Sequence, residues 1–104
     1  MKRTRQPRAA DPFDPLDGPP DGRLDLHGFT AVEARSRVPA YLQQVRRRSP
    51  GALVHVITGK GHNTRGAPVL KQLVRSLLRA GLGDQVAAWG IDHDEGGYLI
   101  RLKR

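Results

Sequence analysis

The sequence predicts a two-layer α/β sandwich, in which two helices cover one face of a mixed four-stranded sheet. Two stretches carry apolar residues with the 3.6-residue period of amphipathic helices, and four short runs have the apolar, β-branched or alternating pattern of strands. These elements follow one another in the order β-α-β-α-β-β. That order predicts right-handed crossovers with parallel pairing of the early strands, and a hairpin between the last two strands.

The first strand is predicted at residues 23–28, where apolar and polar residues alternate. This period of two sends Leu24 and Leu26 to one face of the sheet, and Asp25 and His27 to the other. Two titratable side chains therefore lie side by side where the strand ends.

The first helix begins after Thr30, which forms a capping box with Glu33. We expect this helix to run to about Arg48. Pro39 lies inside it and lacks the backbone N–H of a helical residue, so we expect a kink or a loosened turn there. The apolar stripe of the helix consists of Val38, Leu42 and Val45.

The second strand is predicted at residues 52–58, a dense β-branched run that suits an interior position in the sheet. A glycine-rich loop, residues 59–66, follows it. The second helix then starts at Ala67 and ends before Gly81, which suits a C-terminal cap. Its apolar stripe consists of Leu70, Leu73, Val74, Leu77 and Leu78.

The last two strands are predicted at residues 86–92 and 98–103, on either side of a short polar turn. The acidic stretch 92–95 is interpreted as part of this hairpin turn and not as a metal site. His55 has apolar neighbours in the second strand, and we interpret it as a packed or hydrogen-bonded residue and not as a ligand.

The first 22 residues have the composition of a flexible arm. They contain five of the eight prolines, and only Phe13 and Leu16 are sizeable apolar side chains. Such a segment buries too little surface to offset its chain entropy. We therefore expect a flexible arm at residues 1–22 and a folded domain at residues 23–104. A strap over the domain, or a contact with a partner, is the alternative for the arm.

The charge of the chain points to a polyanionic partner. The sequence holds 18 Lys and Arg against 10 Asp and Glu, a net charge of +8. Residues 1–22 carry equal numbers of both signs, so the whole excess lies on residues 23–104, which is typical of a nucleic-acid binder. A basic surface that only keeps the protein soluble is the alternative. The cluster Arg46, Arg47 and Arg48 suits either the end of a helix or contact with phosphate.

Composition also excludes several classes of protein. The chain of 104 residues has room for one small domain, no stretch is long and apolar enough to span a bilayer, and the N-terminus lacks an apolar signal core. We expect a soluble, cytoplasmic protein. Zero cysteines exclude disulfides and thiol chemistry. The five aromatic residues are too few for a base-stacking sheet, which favours recognition of backbone and shape.

Two segments are candidates for function, because each follows a strand and precedes a helix. Residues 25–28 and 58–66 should therefore lie at the same edge of the sheet, where open α/β sheets bind ligands. The sequences Leu24-Asp25-Leu26-His27-Gly28 and Thr58-Gly59-Lys60-Gly61 resemble the paired signatures of the Smr (small MutS-related) domain. The resemblance covers residues 23–104.

The Smr resemblance implies a fold similar to the C-terminal domain of bacterial translation initiation factor three. It also implies nuclease activity, since members of the family nick DNA or cleave RNA, some of them on messenger RNA at stalled ribosomes. On this resemblance Asp25 and His27 are needed for cleavage. The residues that contribute to substrate binding are Thr58, Gly59, Lys60 and Gly61.

The chemistry of these residue types agrees with cleavage of a phosphodiester. An imidazole such as that of His27 exchanges protons near neutral pH, and Asp25 suits orienting the ring, holding its charge or helping to bind a metal. The amides of residues 59–61, together with Lys60, suit the charge at a phosphate. Metal-free RNA cleavage needs a second proton-transfer group, for which His62 and Lys60 are the candidates.

We therefore expect an endonuclease that acts on RNA or on structured or branched DNA, with Asp25 and His27 as catalytic residues. The alternative is a non-catalytic RNA- or DNA-binding module, with the ribosome as one candidate partner. The sequence does not require a cofactor, and Mg²⁺ and Mn²⁺ are the candidate metal ions. We expect a monomer. The expected phosphate-binding residues are Thr58, Gly59, Lys60, Gly61, His62 and Arg65.

Overall fold

The computed structural model describes residues 14–59, 66–80, 82–92 and 96–104. Two helices and four strands follow one another in the predicted order. The elements are β1 (Gly22–Asp25), α1 (Ala31–Arg48), β2 (Leu53–Ile57), α2 (Ala67–Ala80), β3 (Val86–Asp92) and β4 (Gly97–Leu102). Among the residues described, no helix is long and apolar enough to cross a membrane.

The four strands form one mixed sheet in the order β1-β2-β4-β3. β1 pairs in parallel with β2, while β4 lies antiparallel to both β2 and β3. The parallel early pair and the final hairpin are therefore confirmed, as is the predicted α/β class. Because β1 pairs only with β2, it lies at an edge of the sheet.

Helix α1 starts with the predicted capping box. The Thr30 hydroxyl accepts the amide hydrogen of Glu33 at 3.1 Å, and the Glu33 carboxylate accepts that of Thr30 at 2.9 Å. The helix is continuous from Ala31 through Pro39 to Arg48. Its buried face contains the predicted apolar residues and one alanine: Ala34, Val38, Leu42 and Val45.

The main core lies between the two helices and one face of the sheet. Alternate strand residues, such as Leu24 and Leu26 around the end of β1, point into it as the period of two predicts. Tyr98 on β4 is buried there, and its hydroxyl donates to the Lys71 carbonyl of α2 at 3.0 Å. The remaining sheet residues of this core are Val54, Val56, Ile100 and Leu102.

The other face of the sheet is covered in part by residues 14–21. The guanidinium of Arg101 on β4 donates to the Pro15 carbonyl at 2.7 Å, and Asp21 exchanges hydrogen bonds with the Leu53 backbone at 2.6 and 2.9 Å. The described part of the predicted arm thus contacts the domain, as in the alternative of a strap. Residues 1–13 lie outside the part of the chain that the structure describes.

His55 is a packed residue on this second face, as interpreted from the sequence. It is 2% exposed, and its Nε2 lies 3.2 Å from the Asp92 carboxylate, which is also buried. The two side chains come from β2 and β3 and face each other across β4. The turn residues 93–95 lie outside the described ranges, so the predicted acidic turn stays a prediction.

Candidate active site

Asp25 and His27 form a pair at the open end of β1. One carboxylate oxygen of Asp25, Oδ1, accepts the backbone amide hydrogen of His27 at 2.9 Å. The same oxygen lies 3.7 Å from Nδ1 of the His27 ring. Both side chains are solvent-exposed, Asp25 by 53% and His27 by 72%. Both side chains are thus accessible from solvent.

The end of β2 lies directly beside this pair. Asp25 is in register with Ile57, and one residue later the Leu26 amide donates to the Ile57 carbonyl at 2.8 Å. Residues 58–66, called the glycine turn below, therefore follow β2 at the same end of the strands as Asp25 and His27. This juxtaposition was predicted from the parallel pairing, and it is confirmed for the described residues.

Thr58 and Gly59 anchor the start of the glycine turn to the β3–β4 hairpin. The buried Thr58 hydroxyl donates to the Gly96 carbonyl at 2.7 Å. The backbone amides of Thr58 and Gly59 donate to the same oxygen at 2.9 and 3.2 Å. All three donors are thus directed at Gly96 and anchor the start of the turn. Phosphate binding by Thr58 and Gly59 stays a prediction.

The approach of the hairpin to β2 requires glycine at position 97. A Cβ on Gly97 would lie 2.1 Å from the Val56 carbonyl oxygen and 2.9 Å from the Ile57 Cα. Gly96 precedes it with a φ of +68°, a conformation that favours glycine. The Gly96-Gly97 pair thus places the Gly96 carbonyl beside Thr58 and Gly59, where it accepts their hydrogen bonds. Sequence reasoning did not predict this role for the two glycines.

The other predicted binding residues, Lys60, Gly61, His62 and Arg65, lie outside the described residues. Their roles stay predictions. Within the arginine cluster at the end of α1, Arg46 has a structural role. Its guanidinium donates hydrogen bonds to three backbone oxygens and one side-chain oxygen, at donor–acceptor distances of 3.1 to 3.2 Å. Its acceptors belong to Asp84, Gln85, Lys103 and Arg104.

An open groove of about 730 Å³ lies beside the pair, between His27 and the outer face of α1. Sequence reasoning did not predict it. The available signal was Val32, an apolar residue outside the buried stripe, which is 73% exposed in the structure. The other residues that shape the groove include Phe29, Ser36, Arg37 and Ala40.

The described residues contain no cluster of three or more His, Cys, Asp or Glu side chains that could hold a metal ion. Asp25 and His27 supply two groups of the kind that bind divalent cations. A cation bound by this pair would take its remaining ligands from other sources, for which the phosphate oxygens of a nucleic acid are chemically suited.

Comparisons with known proteins agree with the motif resemblance. A family model described as the Smr domain matches residues 24–98. A curated protein of Treponema pallidum (strain Nichols), itself described as uncharacterized, is 41% identical over 61 residues. That match covers 59% of this chain but only 30% of the relative's length.

Among solved structures, the crystal structure of the Smr domain of Thermus thermophilus MutS2 is similar to this fold. The TM-score is 0.64 at 24% sequence identity, and the match covers 80% of this chain and 99% of that one. At this identity the likeness establishes the fold alone. The same arrangement of two helices on a mixed four-stranded sheet thus forms the whole of a separately solved domain.

Proposed function

Because the chain belongs to the Smr domain family, which is associated with nuclease activity and nucleic-acid binding, we propose that it is an endonuclease acting on RNA or on structured or branched DNA. One observation carries this proposal. The Asp25–His27 pair is solvent-exposed at the sheet edge where the glycine turn begins. Both groups are therefore within reach of a phosphodiester, as cleavage requires.

In the proposed reaction, His27 takes a proton from the attacking hydroxyl, either the ribose 2′-OH or a water molecule. The oxygen of this hydroxyl then bonds to phosphorus, and the bond from phosphorus to the leaving oxygen breaks. Asp25 holds the segment that carries the ring and stabilises the imidazolium that forms. The leaving oxygen needs a proton from a second group, for which His62 and Lys60 are the candidates.

Positive charge is the second requirement, because negative charge develops on the phosphoryl oxygens in the transition state. The net charge of +8 resides on residues 23–104. Since the amides of Thr58 and Gly59 serve Gly96, the phosphate contacts are assigned to side chains of the loop. Lys60 and Arg65 are the proposed contacts.

The alternative is a binding module that no longer cleaves, with ribosomal RNA among its candidate partners. One observation favours it. Asp25 Oδ1 is engaged by the backbone amide of His27, and the 3.7 Å to the ring nitrogen exceeds hydrogen-bond distance. In this alternative the pair shapes a turn, and the basic surface alone supplies the function.

Incubation of the purified chain with end-labelled RNA and with branched DNA separates the two functions. Cleavage supports the endonuclease, whereas tight binding without cleavage in Mg²⁺, Mn²⁺ or EDTA supports the binding module. Lys60→Ala and Arg65→Ala should weaken binding, and each should reduce the slope of log affinity against log salt by about one. The product ends identify the nucleophile, since a cyclic phosphate requires attack by the ribose hydroxyl.

A further inference from the structure

We infer that the groove beside His27 binds one unstacked nucleobase of the substrate strand, next to the phosphate that the Asp25–His27 pair cleaves. The inference rests on the proposed function, because it makes the groove part of the same site. It adds a substrate class, namely nucleic acid whose bases are unpaired at the point of cleavage.

The lining of the groove has the character that a base requires. Phe29 is half-buried and packs against the core while it also faces the groove. Val32 is 73% exposed on the first turn of α1, where it contributes nothing to the buried stripe of that helix. A nucleobase has two apolar faces that pack on such side chains, and the contact with an aromatic ring is independent of base identity.

Polar groups lie where the rest of a nucleotide would pass. His27 lines one part of the groove, and Arg37 lies about 7.5 Å further along the helix axis than Val32. The Arg37 guanidinium is positioned 5.9 Å above the Tyr41 ring. A strand with its base on Val32 would thus bring one phosphate towards His27 and a neighbouring one towards Arg37.

The charge of Arg37 is available for such a phosphate. Burial raises the pKa of the Tyr41 phenol, against smaller opposing effects of Arg37 and Arg48, so the phenol is neutral at neutral pH. Glu33, the acidic residue of the groove, lies at the start of α1, where its carboxylate accepts the Thr30 amide hydrogen. The groove thus combines an apolar floor with an anionic side chain at the start of the helix and the cationic Arg37 further along it.

A paired base does not fit this arrangement, because both of its faces are covered by stacking in the duplex. The groove therefore predicts that single-stranded segments bind more tightly than duplex of the same sequence. This requirement is compatible with the small number of aromatic residues in the chain, since the groove needs one ring and not a stacking platform.

Fluorescence anisotropy with a labelled single-stranded oligonucleotide tests the inference directly. Val32→Ser should weaken binding about threefold or more, since it removes apolar contact area without adding charge. Val69→Ser is the matched control, because Val69 is also exposed, by 56%, but lies on α2 away from the groove. Phe29→Leu keeps an apolar side chain at the core and should weaken binding by about fivefold.

The control ligand is a single strand of the same length whose nucleotides lack their bases. The inference predicts that wild-type protein binds it more weakly than the normal strand, and that Val32→Ser binds it as the wild type does. Equal affinity of wild type and Val32→Ser for the normal strand would overturn the inference. The readout is binding, so a chain that shows the Val32 effect but cleaves nothing would refute the proposed nuclease and leave the base site intact.

Discussion

One carboxylate oxygen of Asp25 lies close to both the backbone and the ring of His27. This oxygen, Oδ1, accepts the His27 amide hydrogen at 2.9 Å and lies 3.7 Å from Nδ1 of the His27 ring. The carboxylate therefore has two separable effects. It fixes the turn that follows β1, and it places negative charge beside the imidazole. The positive φ of Gly28, +86°, completes this turn.

Two substitutions of Asp25 separate these effects. Asn keeps an oxygen that can accept the His27 amide hydrogen, so Asp25→Asn should keep the wild-type free energy of unfolding, whereas Asp25→Ala should lose about 1 kcal/mol. Both variants should cleave at least about tenfold more slowly, because the charge is lost in both. Urea unfolding and initial cleavage rates are the measurements. Wild-type cleavage by Asp25→Asn would show that only the turn matters.

The Thr58 hydroxyl should contribute to stability through Gly96. Thr58→Val removes a buried donor with little change of shape, and we expect it to lower the free energy of unfolding by about 1–2 kcal/mol. Thr58→Ser keeps the hydroxyl and should be less destabilised, and thermal or urea unfolding of both variants measures the difference. A Val variant more stable than the Ser variant would contradict the anchoring role.

Gly97 should be among the least tolerant positions in the sheet. Gly97→Ala places a Cβ against the Val56 carbonyl, and we expect a loss of at least about 2 kcal/mol in the free energy of unfolding. Gly83→Ala is the control, since a Cβ there meets nothing within 4 Å. Urea unfolding of the two variants gives the comparison, and similar stability of both would show that β4 shifts to accept the methyl group.

Arg101 should hold residues 14–21 against the sheet. Its guanidinium donates to the carbonyls of Pro15, Gly51 and Asp17 at 2.7, 2.9 and 3.5 Å. Arg101→Gln should therefore open this segment and speed proteolysis before Asp17 by about tenfold. A protease specific for aspartate, followed by mass spectrometry, measures the rate. Arg47→Gln is the exposed control, and equal rates in both variants would argue against the tether.

The elements that sequence reasoning predicts well are those that local chemistry defines. The capping box of Thr30 and Glu33 fixes the start of α1, and the run 86–92 carries its strand signal in its own residues. The shared edge of Asp25 and the glycine turn follows from parallel pairing, which the order of elements implies. These features need no knowledge of distant contacts.

The features that sequence reasoning missed depend on partners far apart in the chain. Arg101 meets Pro15 across 86 positions, and Thr58 meets Gly96 across 38. In both cases a backbone carbonyl accepts the hydrogen bond, and any residue type supplies one, so no sequence pattern marks the partner. The groove beside His27 was missed for a different reason: its lining residues all lie within positions 27–40, but they surround a groove only once α1 packs beside the end of β1.

The most direct test of the nuclease function compares His27→Ala with wild type on one labelled RNA, measuring cleavage rate and affinity together. Gln43→Ala, an exposed substitution on α1, is the control for surface changes. We predict that His27→Ala reduces cleavage by about a hundredfold or more while its affinity changes by no more than about twofold. Cleavage by His27→Ala at the wild-type rate would contradict a catalytic role for this side chain.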